Sequence, residues 1–385
     1  MNPRAATTAI FCANGAAIGT WAAQIPAVQA RLGVSKGAIG FALLFMAAGA
    51  LVAMPLTGQA LARRPSGTLT RILVLVECVL IPLPLLAPSI WALAPFLIVF
   101  GAANGACDVA MNAHGVAVER TLGKPIMSSL HGGWSVGGLA GAGGAALGGA
   151  LAADPRLEAA CAAGLAFVVA ALAGRHLGSA TAAEAGPAPK LRLPPREVAL
   201  LGVLCLLVMV TEGAMGDWSG IYLRDETGAA HGLTALGFGG FSLGMAIGRF
   251  GGDALATRLG ATAVLRAGAG LVLLALGGVL LIREPAIAVA GFSLVGLGLA
   301  NSVPLLFSAA GRVRGTASAP ALAAVFTMGY TGFIIGPPVI GVLADAIGLP
   351  GALSLLCAAA ALVFVLCGRA TTEAEPLAAP ARARA

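Results

Sequence analysis

Asn104, Asp108 and Asn112 lie four residues apart in "NGACDVAMNAHG" (104–115), directly after "IWALAPFLIVFGAA", which carries no charge. At 3.6 residues per turn this spacing makes one stripe on a helix. If the surroundings are lipid, an ionised Asp costs at least about 3 kcal/mol even on a lenient insertion scale. Such a side chain persists by facing water, by finding a donor or by holding a proton. A carboxyl so placed can load a proton on one side of a membrane and release it on the other. The plainer alternative is a hydrogen bond between helices, which also serves for the two asparagines.

Other chemistry-bearing residues are sparse. His131 and Trp134 are three apart and share a helix face; a Trp beside polar donors holds a sugar-like ring by stacking and hydrogen bonding, though Trp also packs. His131 is a candidate ligand contact, a proton relay or a partner for a carbonyl. Glu212 is a second candidate proton or substrate group. Asp217 and Trp218 follow on the same segment, where Asp217 reads equally as an interfacial charge. Asn14, Gln24, Asn301 and Tyr330 complete the candidate lining. Glu77 has no polar partner at helical spacing and receives no role, and His114 points away from the Asp108 stripe. The four His (114, 131, 176, 231) form no H-x-x-x-H, and no P-loop occurs. We therefore expect no catalytic site, no metal and no cofactor, and the missing P-loop argues against ATP as the driving force. The seven cysteines contain no C-x-x-C and read as small packing residues.

The elements that position these groups follow from composition. Of 385 residues, 58% are hydrophobic and only 10% charged, against about 25% charged in a soluble domain. Gly (55) and Pro (22) are frequent, as in helices that pack closely within a bilayer. Apolar runs near 8–28, 38–60, 70–88, 91–116, 126–151, 158–176, 198–222, 233–252, 262–282, 286–308, 319–343 and 351–368 predict an all-α polytopic protein of 12 transmembrane helices. The polar stretch 178–197 reads as a cytoplasmic linker between an N-terminal half, 1–177, and a C-terminal half, 198–369, with 370–385 a flexible tail. With twelve alternating spans, 18 of the 23 Lys and Arg fall on the side of the termini, and Arg31, Lys36, Arg156, Arg224 and Arg283 on the other. That asymmetry predicts cytoplasmic termini and accounts for the net charge of +7 without a nucleic-acid partner. The basic "MNPR" ahead of an apolar run also fits a cleaved signal peptide, but this start has a partner later in the chain.

That partner belongs to an internal repeat. At an offset of about 195–199 residues, "GTW" (19–21) meets "GDW" (216–218), "GVS" (33–35) meets "GLT" (232–234), and "GQALARR" (58–64) meets "GDALATR" (252–258). "GAAN" (101–104) meets "GLAN" (298–301), and "GWS" (133–135) meets "GYT" (329–331). The Gly and hydroxyl of the second pair each read as a helix start. Five matches in one order predict two six-helix, pseudo-symmetric halves of the same orientation around a midplane cavity.

"GRFGGDALATRLG" (248–260) resembles the loop between helices 2 and 3, repeated between helices 8 and 9, of the major facilitator superfamily, and the resemblance spans nearly the whole chain. "MNAHGVAVE" (111–119) and "SSLHGGWSVGGLAG" (128–141) resemble its MosC-like branch, near the fucose-permease group. The resemblance implies transport by alternating access and a gating role for Gly248, Arg249, Gly252, Asp253 and Arg258, with Asp253 at the inner end of helix 8 pairing with Arg. Gln59 stands where the first-half copy has Asp, so a charged latch would be one-sided; a loop with no latch is the alternative. "CDVAMNA" (107–113) resembles the fucose permease's helix-4 pattern, an acid four residues before an Asn, in which the acid carries the coupling proton. That maps onto Asp108 and Asn112, with Asp replacing the longer Glu.

The resulting expectation is a proton-coupled symporter of a small polar solute, sugar- or inositol-like, acting as a monomer in a bacterial inner membrane. The competing expectation is a proton-coupled exporter: "GFIIGPPVIG" (332–341) resembles the antiporter signature, but on helix 11 rather than helix 5. A membrane enzyme or sensor is disfavoured, since no nucleophile–base pair and no output domain are present.

Overall fold

Local signals set the helix ends. Asn2 accepts the Ala5 N–H to open α1 (Pro3–Leu32), with Pro3 in the first turn, and Gly33 at φ 62° closes it. Ser35 caps α2 (Lys36–Leu61). There follow α3 (Ser66–Leu80), α4 (Ile90–Leu122), α5 (Met127–Ala150), α6 (Pro155–Gly174) and α7 (Arg196–Thr227). A short turn, His231–Thr234, precedes α8 (Leu236–Leu259), then α9 (Ala261–Ile282), α10 (Pro285–Ala310), α11 (Ser318–Ile347) and α12 (Leu349–Thr372). This computed structural model describes residues 1–178, 195–313 and 318–372. Nearly all of the expected 178–197 linker, and 373–385 of the expected tail, lie outside the described residues.

Three expected details change. The third span ends early: α3 stops at Leu80, and Pro82 and Pro84, which lack an N–H, leave only a 3₁₀ turn over Leu83–Leu86. The tenth span breaks between Leu299 and Ser302, where Pro304 cannot bond to the carbonyl of Ala300. Thr234 does not start the eighth helix, whose first turn follows Ala235 without a side-chain cap. Gly232 instead packs on α5, since a Cβ there would lie 2.7 Å from the Ala146 carbonyl.

Among the described residues ten helical segments are long and apolar enough to cross a membrane. Of the other two expected spans, α1 carries a row of polar side chains and α5 is rich in glycine. α1 turns Thr7, Asn14, Thr20, Gln24 and Gln29 inward, all of them buried. The two helices lie against each other: Gly15 and Gly19 of α1 meet the backbone of Trp134 and Gly138, while Gly133, Gly137 and Gly141 of α5 meet Thr8, Cys12 and Ala16. A helix enclosed by protein does not need a lipid-compatible surface, so hydropathy alone under-reads both.

Packing repeats with the sequence. α1 packs on α5, α2 on α4 and α3 on α6; α7 packs on α11, α8 on α10 and α9 on α12. Individual contacts recur 195 residues apart: Gly49 meets the Ile98 carbonyl as Gly244 meets that of Ser293, and Gly101 meets the Met46 carbonyl as Gly296 meets that of Phe241. The halves meet along α5–α8 and α2–α11, which the same operation exchanges.

At the end opposite the termini the halves are bonded together. Asp345, near the end of α11, accepts from Ser35 Oγ (2.7 Å), Lys36 N (3.0 Å) and Gly37 N (2.8 Å) at the start of α2. A carboxylate on three donors at a helix N-terminus is favoured by hydrogen bonding and by the helix dipole. Lys36 Nζ pairs with Asp225 at 2.8 Å, and Arg224 donates to Gln29 Oε1 at 2.7 Å and to the Pro26 carbonyl.

Candidate functional site

The polar candidates gather into two clusters, one among α1, α3, α4 and α5 and one where α4 and α5 meet α8 and α11. The first surrounds a residue that helical spacing did not single out. Glu77 of α3 is fully buried. It accepts from Asn14 Nδ2 at 3.0 Å (Oε1) and 2.8 Å (Oε2), and from Asn104 Nδ2 at 2.8 Å (Oε1). Trp134 Nε1 donates to Asn14 Oδ1 at 2.7 Å. The signal in the sequence was the demand itself: a carboxylate in an apolar span needs donors, and Asn14 and Asn104 are amides available on other helices.

The second cluster centres on Asp108. Asn112 Nδ2 donates to Asp108 Oδ1 at 2.9 Å, and the His131 Nε2 to Asn112 Oδ1 distance is 3.1 Å. From the other half, Tyr330 Oη reaches Asp108 Oδ2 at 3.5 Å. No Lys, Arg or His forms an ion pair with Asp108 or Glu77 among the described residues. Asp108, Asn112, His131 and Tyr330 are all half-buried. Phe11 meets the His131 ring edge-on with centroids 5.3 Å apart, and Phe326 lies against Tyr330 at 4.4 Å. The stripe on α4 therefore divides: Asn104 serves Glu77, while Asp108 and Asn112 serve the joint between the halves.

Arg249 extends this second cluster. It was expected near the inner loop, but it lies between α5 and α7, donating to Ser135 Oγ (3.0 Å) and the His131 carbonyl (3.3 Å). Its other terminal nitrogen is 3.6 Å from Glu212 Oε1. A guanidinium presents several donors in a rigid fork and can hold all three partners at once. It is thus a half-buried helix residue rather than a loop cation, and its partners on α5 lie in the first turns of that helix.

Other candidates lie elsewhere. Gln24, ten residues and about 15 Å along α1 from Asn14, donates to Glu158 of α6 at 2.6 Å. Trp218 is fully buried with its ring against Gly341, so it packs rather than lines a cavity. Asn301 donates to the Gly248 carbonyl at 3.1 Å in the break of α10. Gly252 leaves the space its side chain fills, and Gly248 admits Ala300, so these two glycines let α8 and α10 approach. Asp217 is half-buried and makes no hydrogen bond or ion pair among the described residues, and Arg258 is exposed at the end of α8. The Asp253 side chain lies outside the described residues. His114 turns from the stripe to Ser66, 3.1 Å from its Oγ.

This arrangement offers amides, a phenol, an indole, an imidazole and carboxyls on α1, α3, α4 and α5 and on the facing α7, α8 and α11. It can bind polar groups and exchange protons. Among the described residues no group of His, Cys, Asp and Glu could hold a metal ion.

No family model matches the chain. It is 33% identical over 345 residues to an uncharacterised MFS-type transporter of Yersinia pestis, covering 90% of each chain. It is 34% identical over 380 residues to an uncharacterised transporter of Sinorhizobium fredii (95% of this chain, 97% of the relative). It is 33% identical over 359 residues to the membrane protein MosC of Rhizobium meliloti (92% and 86%). Among solved structures, a mutant of the nucleoside transporter NupG superposes with a TM-score of 0.76 at 11% identity, over 96% of this chain and 100% of that one. A bacterial homologue of the human lysosomal transporter Spinster gives 0.72 at 15% identity, over 98% of each chain.

Proposed function

The chain belongs to the MFS-type membrane transporters, the major facilitator superfamily, and on that footing we propose that it is a proton-coupled symporter of a small polar, sugar- or inositol-like solute. The observation that carries this reading is the 3.5 Å contact between Tyr330 and Asp108. It joins an acid of one half to a phenol of the other, with no cation paired to the acid among the described residues. When the halves change their relation, the surroundings of that carboxyl change with them, which is what coupling of proton transfer to alternating access requires. Asp108 is the coupling acid and Asn112 orients it. Glu212, held by Arg249, is the second acid. Trp134, His131 and Asn112 supply the stacking face and the polar contacts for a hydroxylated ring. Gly248 and Gly252 let α8 shift against α10 as the gate works.

With both termini cytoplasmic, as the Lys and Arg asymmetry indicates, the end closed by Asp345, Lys36 and Arg224 faces outward. Residues 1–177 and 198–369 are the moving halves, joined through 178–197, in a monomer within a bacterial inner membrane.

The solute is found by a thermal-shift screen of purified protein with sugars, polyols, inositols and amphipathic drugs, because a ligand of the native state raises apparent stability by mass action. A polyol or inositol that stabilises the protein, and whose entry into proteoliposomes is accompanied by proton entry, supports the proposal. Stabilisation by amphipathic drugs alone, with protons moving oppositely, rejects it in favour of export.

A further inference from the structure

Glu77 plays no part in the coupling scheme above, yet it is the most enclosed carboxyl of the polar layer. The groups that face it are few. Asn14 comes from α1, Asn104 and the Cys107 thiol from α4 with Asp108 one position beyond, and Cys78 from α3 itself. α6, which also packs on α3, contributes no ion-pair partner among the described residues. An ionised carboxylate so placed depends on two amides and the weaker Cys107 thiol for its donors.

The donors are arranged so that charge and geometry are tied. An indole N–H can only donate, so Asn14 must present Oδ1 to Trp134, and its Nδ2 is thereby turned to Glu77. Glu77 Oε1 accepts two amide bonds and Oε2 only one, from Asn14. A proton arriving on the carboxylate therefore goes to Oε2, where it faces the Asn14 donor. Two donors cannot share that contact. The amide turns over, offering Oδ1 to the new O–H and NH₂ to the indole, and Trp134 loses its acceptor.

We propose that Glu77 is a third titrating acid of this protein, beside Asp108 and Glu212, and that its proton and the Trp134–Asn14 hydrogen bond exclude one another. The proton comes from water admitted beside the half-buried Asn104 and returns to it; no other bond forms or breaks. Through this relay the charge on Glu77 sets whether the Trp134 N–H is held by the protein or free for a solute hydroxyl. The link to solute rests on the role given to Trp134 above, but the exchange itself does not.

The test uses purified protein in nanodiscs carrying Asp108→Asn and Glu212→Gln, so that neither acid assigned to coupling contributes. Ultraviolet resonance Raman spectra, differenced against the same protein with Trp134→Phe, report whether the Trp134 N–H is bonded. Infrared difference spectra report a protonated carboxyl. As pH falls, the Trp134 signal should pass from bonded to free over the interval in which a carboxyl band grows, and Glu77→Gln should abolish both changes. A Trp134 N–H that stays bonded at every pH where the protein is folded overturns the proposal, even if Glu77→Gln does not fold. So does a transition that persists unchanged in Glu77→Gln. Loss of proton-coupled uptake would appear in transport and not in these spectra, so the two proposals fail separately.

Discussion

Replacing Trp134 by alanine removes the ring face proposed to stack on solute and, among the described residues, the only donor to Asn14 Oδ1. A stacking face and one hydrogen bond together contribute about 1–2 kcal/mol, so solute affinity should fall roughly tenfold as read by calorimetry. Unchanged affinity would make Trp134 a packing residue. Single residues were legible where their partners lie on the same helix: Asp108 and Asn112 are four apart and do bond to each other. They were not legible where the partner lies on another helix. Glu77 looked isolated because its amides come from α1 and α4. Arg249 looked like a loop cation because charge counting does not see that it reaches between α5 and α7 to Glu212. Gln24, Trp218 and Asn301 had suitable chemistry, but their side chains turn to α6, α11 and α8, directions fixed by packing rather than by type.

At the scale of the element, the glycines of α5 give a sharper test than their number suggests. Gly137 lies against the Cys12 backbone, whereas Gly143 has nothing within 4 Å of where a Cβ would stand. Gly137→Leu should push α1 and α5 apart, costing 1–3 kcal/mol or more by overpacking and lowering the melting temperature by several degrees. Gly143→Leu on the same helix should leave melting nearly unchanged. Equal effects would mean that the α1–α5 contact is not what the glycines serve. That α5 packs closely could be read from its composition. Which glycine meets α1 and which meets α8 (Gly132 against Phe250, Gly138 against Ser242) depends on helix rotation, which composition does not encode. The α3 and α10 breaks were in principle readable from Pro82, Pro84 and Pro304, but a hydropathy run passes over proline without marking it.

For the molecule as a whole, the repeat was the most legible feature, because short motifs at one offset predict contacts at that offset, and Gly49 and Gly244 meet them. The seal at the end opposite the termini was not legible. Asp345, Lys36 and the adjacent Arg224 and Asp225 come from three distant parts of the sequence and meet across the two halves. Asp345→Asn should weaken the hold on the start of α2, and hydrogen exchange at the amides of Lys36 and Gly37 should speed up severalfold. Exchange at the wild-type rate would show that Asp345 does not hold that end closed.

The central claim is that Asp108 ties proton movement to the rocking of the two halves. The most direct measurement places wild type and Asp108→Asn in proteoliposomes with the solute found by thermal shift, an imposed pH gradient and, separately, solute counterflow. The account predicts that the wild type concentrates solute against its gradient, whereas Asp108→Asn only equilibrates it while still exchanging solute in counterflow. Concentrative uptake by Asp108→Asn would contradict the account.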